Sequence, residues 1–135
     1  MKSPEKVLRL KERELDKERE ELNLLLARER ALRAEIEGVE RRILELKSQN
    51  VESVFQFGLM REAIRELLSE KERLEEQLRE LSFRVERKRQ EVGRLRGELR
   101  LMKELLKKRK LKEERTGEVL NERFIYQVLY SSNGS

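Results

Sequence analysis

The apolar residues between Met60 and Leu106 recur at alternating steps of four and three residues. The series runs Met60, Ile64, Leu67, Leu74, Leu78, Leu81, Val85, Val92, Leu95, Leu99, Met102 and Leu106, and only Lys71 and Lys88 interrupt it. A mean spacing of 3.5 residues places one narrow apolar stripe along a helix. Because such a stripe is too narrow to form a core alone, it predicts a coiled-coil strand that packs against another helix.

The first half of the chain carries a heptad of its own. One position holds Leu8, Leu15, Leu22, Ile36 and Ile43, and the companion position three residues later holds Leu25, Leu32, Val39 and Leu46. Glu29 stands in the one gap of the first series. Two apolar seams in one chain predict an all-α fold in which two long helices pack together.

Local signals give the ends of these helices. Ser3 followed by Pro4 reads as an N-cap with proline at the first helical position. The polar stretch 47–53 separates the seams, and Ser53 can cap a second helix. No glycine or proline forbids a continuous helix there, but the four-three phase fails. We therefore predict helix 1 at about 4–48, a turn at about 49–53, and helix 2 at about 54–115 or longer, forming an antiparallel hairpin in one elongated domain over 1–135.

The second helix is expected to overhang the first at its C-terminal end. With the turn centred near residue 51, Leu8 would lie across from about Arg94, and everything after about Leu99 would extend beyond the first helix. An apolar tail at 116–130 follows, with Gly117 as a possible bend or interruption, because glycine costs about 1 kcal/mol in a helix interior. The polar residues 131–135 predict a disordered end.

Composition excludes several classes of function. Charged residues make up 45% of the chain, and cysteine and histidine are both absent. This removes disulfides, thiolate nucleophiles, imidazole bases and the usual zinc ligands. The carboxylates lie on solvated helices without a cleft, so we expect no enzyme, no cofactor and no metal site. The sequence shows no membrane-spanning run and no signal peptide, which predicts a cytoplasmic location.

Charge is concentrated near the end of the second helix. Residues 84–115 hold 14 Lys or Arg and six Glu, against a net charge of +5 for the whole chain. One interpretation is a solvated helix flank with ion pairs between residues four apart. The other is docking onto an acidic protein pore or groove. Nucleic acid is disfavoured as the partner, since no aromatic residues alternate with the cations and glutamates are interspersed.

An apolar cluster adjoins the predicted turn. Phe55, Phe57, Leu59 and Met60 either plug the end of the hairpin or form an adaptable contact surface for a partner. The two lysines within the seam are expected to extend outward to solvent and to set register or oligomeric state.

The layout of the chain resembles the flagellar type III export stalk proteins, the FliJ family, and their YscO-like relatives in virulence secretion. The resemblance rests on the leucine-heptad start at 7–15, the Phe55–Ile64 stretch that opens a longer second helix, the basic stretch 109–115, and Glu122-Arg123-Phe124. It covers nearly the whole chain. Residues 125–130, which are mainly apolar, depart from the polar tail of the family.

This resemblance implies a stalk that enters the ring of a hexameric export ATPase, promotes its assembly and activity, and links it to the export gate and to export chaperones. It places the chain in flagellum biogenesis, protein transport and chemotaxis, in the cytoplasm and peripherally at the inner membrane at the flagellar base. The implied ring-binding residues are Arg94, Arg96, Arg100, Lys103, Lys107, Lys108, Arg109 and Lys110. The implied gate- or chaperone-binding residues are Val39, Ile43, Leu46, Phe55, Phe57, Met60 and Ile64.

Two other classes stay open. One is a homo-oligomeric coiled-coil scaffold that associates through the overhang, and the other is a stalk subunit of a rotary ATPase. A scaffold predicts self-association at low concentration, whereas an export stalk is expected to be monomeric alone, without nucleic acid or a small-molecule substrate as a partner.

Overall fold

The computed structural model describes the backbone of residues 3–133 and the side chains of residues 3–116. Two helices account for most of it: α1 runs from Pro4 to Lys47 and α2 from Val54 to Asn133. They pack against each other as an antiparallel helical hairpin. The predicted fold class, an all-α two-helix coiled coil, is confirmed.

The chain divides into two compact units, which we describe separately. The terminal unit consists of residues 1–15 and 94–135, and the turn unit consists of residues 16–93. Each unit therefore contains one stretch of α1 and one stretch of α2.

The predicted caps begin both helices. The Lys6 backbone N–H donates to the Ser3 hydroxyl at 3.3 Å, and Pro4 occupies the first helical position. At the start of α2, the Gln56 N–H donates to the Ser53 hydroxyl at 3.1 Å. The Gln56 side-chain oxygen in turn accepts the Glu52 N–H at 3.1 Å. This reciprocal arrangement resembles a capping box and satisfies donors that the first turn of a helix leaves unpaired.

The turn unit buries a narrow seam. Its buried side chains are Ile36 and Ile43 of α1 with Leu74, Leu81, Val85 and Val92 of α2. All six belong to the heptad positions identified in the sequence. Burial of one stripe on each helix is the arrangement that a 3.5-residue spacing produces.

The terminal unit continues the same pattern with Leu15, Leu95 and Leu99. Leu95 is the one side chain among the described residues that is both large and completely enclosed. Helix α2 then runs without interruption through Gly117 to Asn133. Gly117 does not interrupt the helix, because a cost of about 1 kcal/mol is too small to end a long helix. The side chains of the apolar tail lie outside the described residues.

The register of the two helices differs from the expected one. In the terminal unit Lys11 pairs with Glu98 at 2.8 Å, and in the turn unit Lys71 pairs with Glu40 at 3.3 Å. A turn centred at residue 51 would have paired each α1 residue with a different α2 residue. That residue would lie about eight positions before the one observed. The linker 48–53 explains the difference, since six non-helical residues can span about 20 Å. Helix α2 therefore begins beyond the last turn of α1.

Among the described residues, no helix contains a segment that is both long enough and apolar enough to span a membrane.

Candidate functional site

Charged side chains occupy the seam of the turn unit at Lys88. Its ammonium group lies 2.6 Å from Glu18 and also contacts Glu21. The hydrogen bonds that Lys88 donates to Glu18 and Glu21 raise the pKa of Lys88 above its ordinary value, and the bond that Glu21 accepts lowers the pKa of Glu21. The sequence predicted a lysine that extends to solvent. The structure instead holds this ammonium against carboxylates of α1.

Two other seam positions in the turn unit are also polar. Lys71 pairs with Glu40 across the hairpin and with Glu75 on its own helix. Glu29, which fills the gap in the α1 heptad, accepts a hydrogen bond from the Ser82 hydroxyl at 3.2 Å. Polar seam residues with specific partners favour one register over others, because a slipped helix would leave them unpaired.

In the terminal unit a similar cross-helix pair joins Lys11 to Glu98. The hydrogen bond between them raises the pKa of Lys11 and lowers the pKa of Glu98. Arg94 adds a second cation to Glu98. Glu98 is thus paired with a cation on α1 and with a cation on α2.

The residues predicted to contact a gate or chaperone fall into three environments in the turn unit. Phe55 and Phe57 are exposed, at 75% and 50% of their surface. Ile43 is buried in the seam. The remaining four, Val39, Leu46, Met60 and Ile64, are half-buried. Only part of the predicted set is therefore accessible to a partner.

The exposure of the two phenylalanines follows from the register. Phe57 lies three residues before Met60 and continues the spacing of the seam, but α1 ends at Lys47 and has no residue left to cover it. Such exposure argues against the interpretation that Phe55 and Phe57 plug the hairpin. Leu59 of the same apolar cluster is exposed near them, as is Val54, which no pattern in the sequence singled out. We name Val54, Phe55, Phe57 and Leu59 the turn-end surface.

The eight residues predicted to bind an ATPase ring all lie on α2 in the terminal unit, and all are exposed. The helix does not present them on one face. Five of them recur at steps of four and three residues and form one flank beside the seam, which we name the cationic row: Arg96, Arg100, Lys103, Lys107 and Lys110. At about 100° per residue, Arg94, Lys108 and Arg109 fall outside this flank.

Ion pairs neutralise only some of these cations. Lys103 lies 3.5 Å from Glu12 of α1, and Arg109 lies 3.5 Å from Glu113. Arg94 is bound to Glu98. The other four members of the cationic row have no ion-pair partner within residues 3–116. The row therefore presents net positive charge to solvent.

Two shallow grooves border the cationic row. One, of about 400 Å³, is lined by Leu15 and Leu99 together with Arg96, Arg100, Lys103 and Glu104. The other, of about 740 Å³, is lined by Pro4, Glu5 and Leu106 together with Lys107 and Lys110. Arg109 and Glu113 complete that second groove. Apolar and cationic side chains thus lie side by side along one flank of the terminal unit.

The two units differ in charge. Residues 94–115 contain ten basic and four acidic residues, whereas the turn unit contains 17 basic and 19 acidic residues. Residues 94–115 thus carry net positive charge, whereas the turn unit as a whole does not. No group of three or more acidic side chains suited to holding a metal ion occurs in the part of the chain that the structure describes.

Comparison with known proteins gave no matching family model, no matching curated sequence and no matching solved structure.

Proposed function

We propose that this chain is a stalk component of a bacterial flagellar type III export apparatus. Its basic terminal unit enters the ring of the hexameric export ATPase and promotes assembly and activity of that ring. Its turn-end surface contacts the cytoplasmic part of the export gate or an export chaperone. In this proposal the protein acts in the cytoplasm, peripherally at the inner membrane.

The cationic row is the observation that carries this proposal. Arg96, Arg100, Lys107 and Lys110 are exposed and lack ion-pair partners among the described residues, so an acidic surface can approach them without breaking existing pairs. Attraction between opposite charges steers association, and it acts over about 8 Å at physiological ionic strength. An acidic pore lining is a surface of that kind.

The turn-end surface supports the second contact. Four large apolar side chains are exposed within the first two turns of α2, and clustered exposed apolar residues mark interaction sites. In this proposal the turn-end surface binds the gate or chaperone, and the terminal unit binds the ATPase.

Native mass spectrometry of the protein mixed with the export ATPase of its source organism tests the proposal. We expect one copy of the chain per ATPase hexamer and loss of the complex at high salt. Formation of no complex at any salt concentration, or binding of six copies per hexamer, would contradict a central stalk.

A homo-oligomeric scaffold is the second candidate, and one observation favours it. Leu24, Leu44 and Phe83 of the turn unit are exposed large apolar residues that lie outside the seam. Another copy of the chain could cover them. Sedimentation equilibrium separates the candidates, because a scaffold associates at low concentration and an export stalk, or a stalk subunit of a rotary ATPase, stays monomeric alone.

A further inference from the structure

We infer that the cationic row and its two grooves form a one-sided docking site for an acidic amphipathic α-helix of a partner protein. That helix lies along the terminal unit as a third strand of the coiled coil. The inference deepens the proposed function and rests on it only for the identity of the partner.

The spacing of the cationic row matches a helix. Its members alternate by four and three residues, as the seam residues do, so successive cations advance about 5 Å along α2. A partner helix with Glu or Asp at the same mean spacing of 3.5 residues can place one carboxylate near each cation over several turns. An irregular loop or a single carboxylate would pair with only one or two of the cations in the row.

The grooves supply apolar contact beside the charges. The edges of the otherwise buried Leu15 and Leu99 line the first groove, and the half-buried Leu106 lines the second, next to members of the cationic row. A helix whose apolar stripe faces these leucines would turn its flanking carboxylates toward the row. Three-stranded packing of this kind uses the same side-chain interlocking as the hairpin itself.

The site is one-sided because the remainder of α2 differs chemically. By helical geometry the row spans an arc of about 80°, and Lys108 and Lys112 lie outside it. The flank across the seam from the row carries the exposed Leu101 and Leu105. It also carries Glu98, which already holds Lys11 and Arg94. An acidic helix would meet fewer free cations there.

A protein helix fits this site better than nucleic acid does. The described part of the terminal unit contains no aromatic side chain on which a base could stack. Glu12 and Glu104 lie among the cations and would repel a continuous line of phosphates. A helix with carboxylates only at selected positions avoids both glutamates.

Binding of a synthetic acidic peptide to the full chain tests the inference. The probe contains about four heptads, with leucine at the two seam positions and glutamate at the flanking ones, and its control carries lysine at those flanking positions. Fluorescence anisotropy gives the affinity. We expect the glutamate peptide to bind and to gain helicity, and the lysine peptide not to bind.

Two matched variants locate the site. The row variant combines Arg100→Glu, Lys107→Glu and Lys110→Glu, and the off-row variant combines Lys108→Glu, Lys112→Glu and Arg115→Glu. Both change the net charge equally. We expect the row variant to weaken peptide binding by at least about tenfold and the off-row variant by less than about threefold. Equal losses would show that net charge alone attracts the peptide and would overturn the inference.

A milder variant keeps the test valid if the row variant fails to fold. Glu12→Gln releases Lys103 from its ion pair and should tighten peptide binding by about threefold. No change or weaker binding would count against the row. A DNA duplex of about 20 bp that binds more tightly than the peptide and loses binding in the row variant would also overturn the inference, in favour of nucleic acid.

The result can be separated from the test of the proposed function. If the row binds the peptide but the chain forms no complex with the export ATPase, the proposed function fails and the docking site stands. If the ATPase complex forms but the row and off-row variants bind the peptide equally, the docking site fails and the proposed function stands.

Discussion

The ammonium group of Lys88 lies 2.6 Å from a carboxylate oxygen of Glu18, across the seam between α2 and α1. The position is one where the four-three pattern would otherwise place an apolar residue. Glu21 adds a second carboxylate. One half-buried cation bound by two anions of the opposite helix is expected to specify the register of the turn unit at some cost in stability.

A double-mutant cycle measures this relationship. Lys88→Met and Glu18→Gln should each destabilise the protein, and the double variant should recover part of the loss. We expect a coupling free energy of about 1 kcal/mol, because the pair is only partly enclosed. Urea unfolding followed by circular dichroism gives the four values. Strict additivity would show that the contact contributes nothing to stability.

The same contacts predict a dependence of stability on pH. Binding to Lys88 and Lys11 lowers the pKa of Glu21 and Glu98, respectively, below the ordinary 4.5. Their contribution is therefore present above about pH 4.5 and is lost as the pH falls through their lowered folded values. A variant with Glu21→Gln and Glu98→Gln should be less stable than the parent at about pH 7, and the difference should shrink in acid. A difference that stays constant with pH would contradict the assignment.

The raised pKa values of Lys88 and Lys11 affect stability at high pH instead of low pH. These lysines stabilise the fold fully below their ordinary value of 10.5, and the contribution disappears only as the pH rises through their folded values. Between neutral pH and about pH 10, stability should therefore show no change from these two groups.

Leu95 should be the most sensitive apolar position of the terminal unit. Its side chain is completely buried, so Leu95→Ala removes packed methyl groups and should cost about 2–5 kcal/mol. Leu101→Ala is the matched control, because Leu101 lies six residues later on the same helix and is 58% exposed. We expect its effect to stay within about 0.5 kcal/mol. Equal losses, measured by urea unfolding, would contradict the placement of the seam.

The turn-end surface should bind a partner without supporting the fold. Phe55→Ala together with Phe57→Ala should change the free energy of unfolding by less than about 1 kcal/mol, since both side chains are exposed. The same variant should weaken binding to the gate domain or chaperone by at least about tenfold. Ile43→Ala, which empties a buried position nearby, provides the contrasting control and should mainly reduce stability. Full retention of partner binding by the phenylalanine variant would sink the assignment.

The sequence predicted the secondary structure and the seam well, because both depend on local chemistry. Ser3, Pro4 and Ser53 carry cap signals that act within a few residues, and the structure shows the Ser3 and Ser53 hydrogen bonds. The buried residues are drawn from the two heptad series, because the 3.5-residue spacing is a property of one helix at a time.

The register could not be predicted in the same way. It depends on how far the linker 48–53 extends and on which charged residues meet across the hairpin, and neither is visible in a periodic pattern. Lys88 looked like an isolated lysine in a seam because its partners, Glu18 and Glu21, lie about 70 residues away. Glu18 occupies the companion heptad position that precedes Leu25. A glutamate at this seam position is the sequence feature that indicates a partner for Lys88.

The candidate sites were predicted as groups of residue types, and the structure divides them by exposure and by face. The basic stretch separates into the cationic row and three residues elsewhere on α2. The turn-end set separates into exposed phenylalanines and seam residues such as Ile43. The second division follows from where α1 ends, which a pattern along α2 alone does not give.

ATP hydrolysis by the export ATPase, measured with and without this protein, tests the central claim most directly. We expect the parent and the off-row variant to stimulate hydrolysis and the row variant to stimulate it at least about tenfold less, with helicity unchanged in all three. Stimulation should also fall as salt is raised. A row variant that stimulates as well as the parent, or stimulation that is indifferent to salt, would contradict the claim that the basic terminal unit acts on the ring.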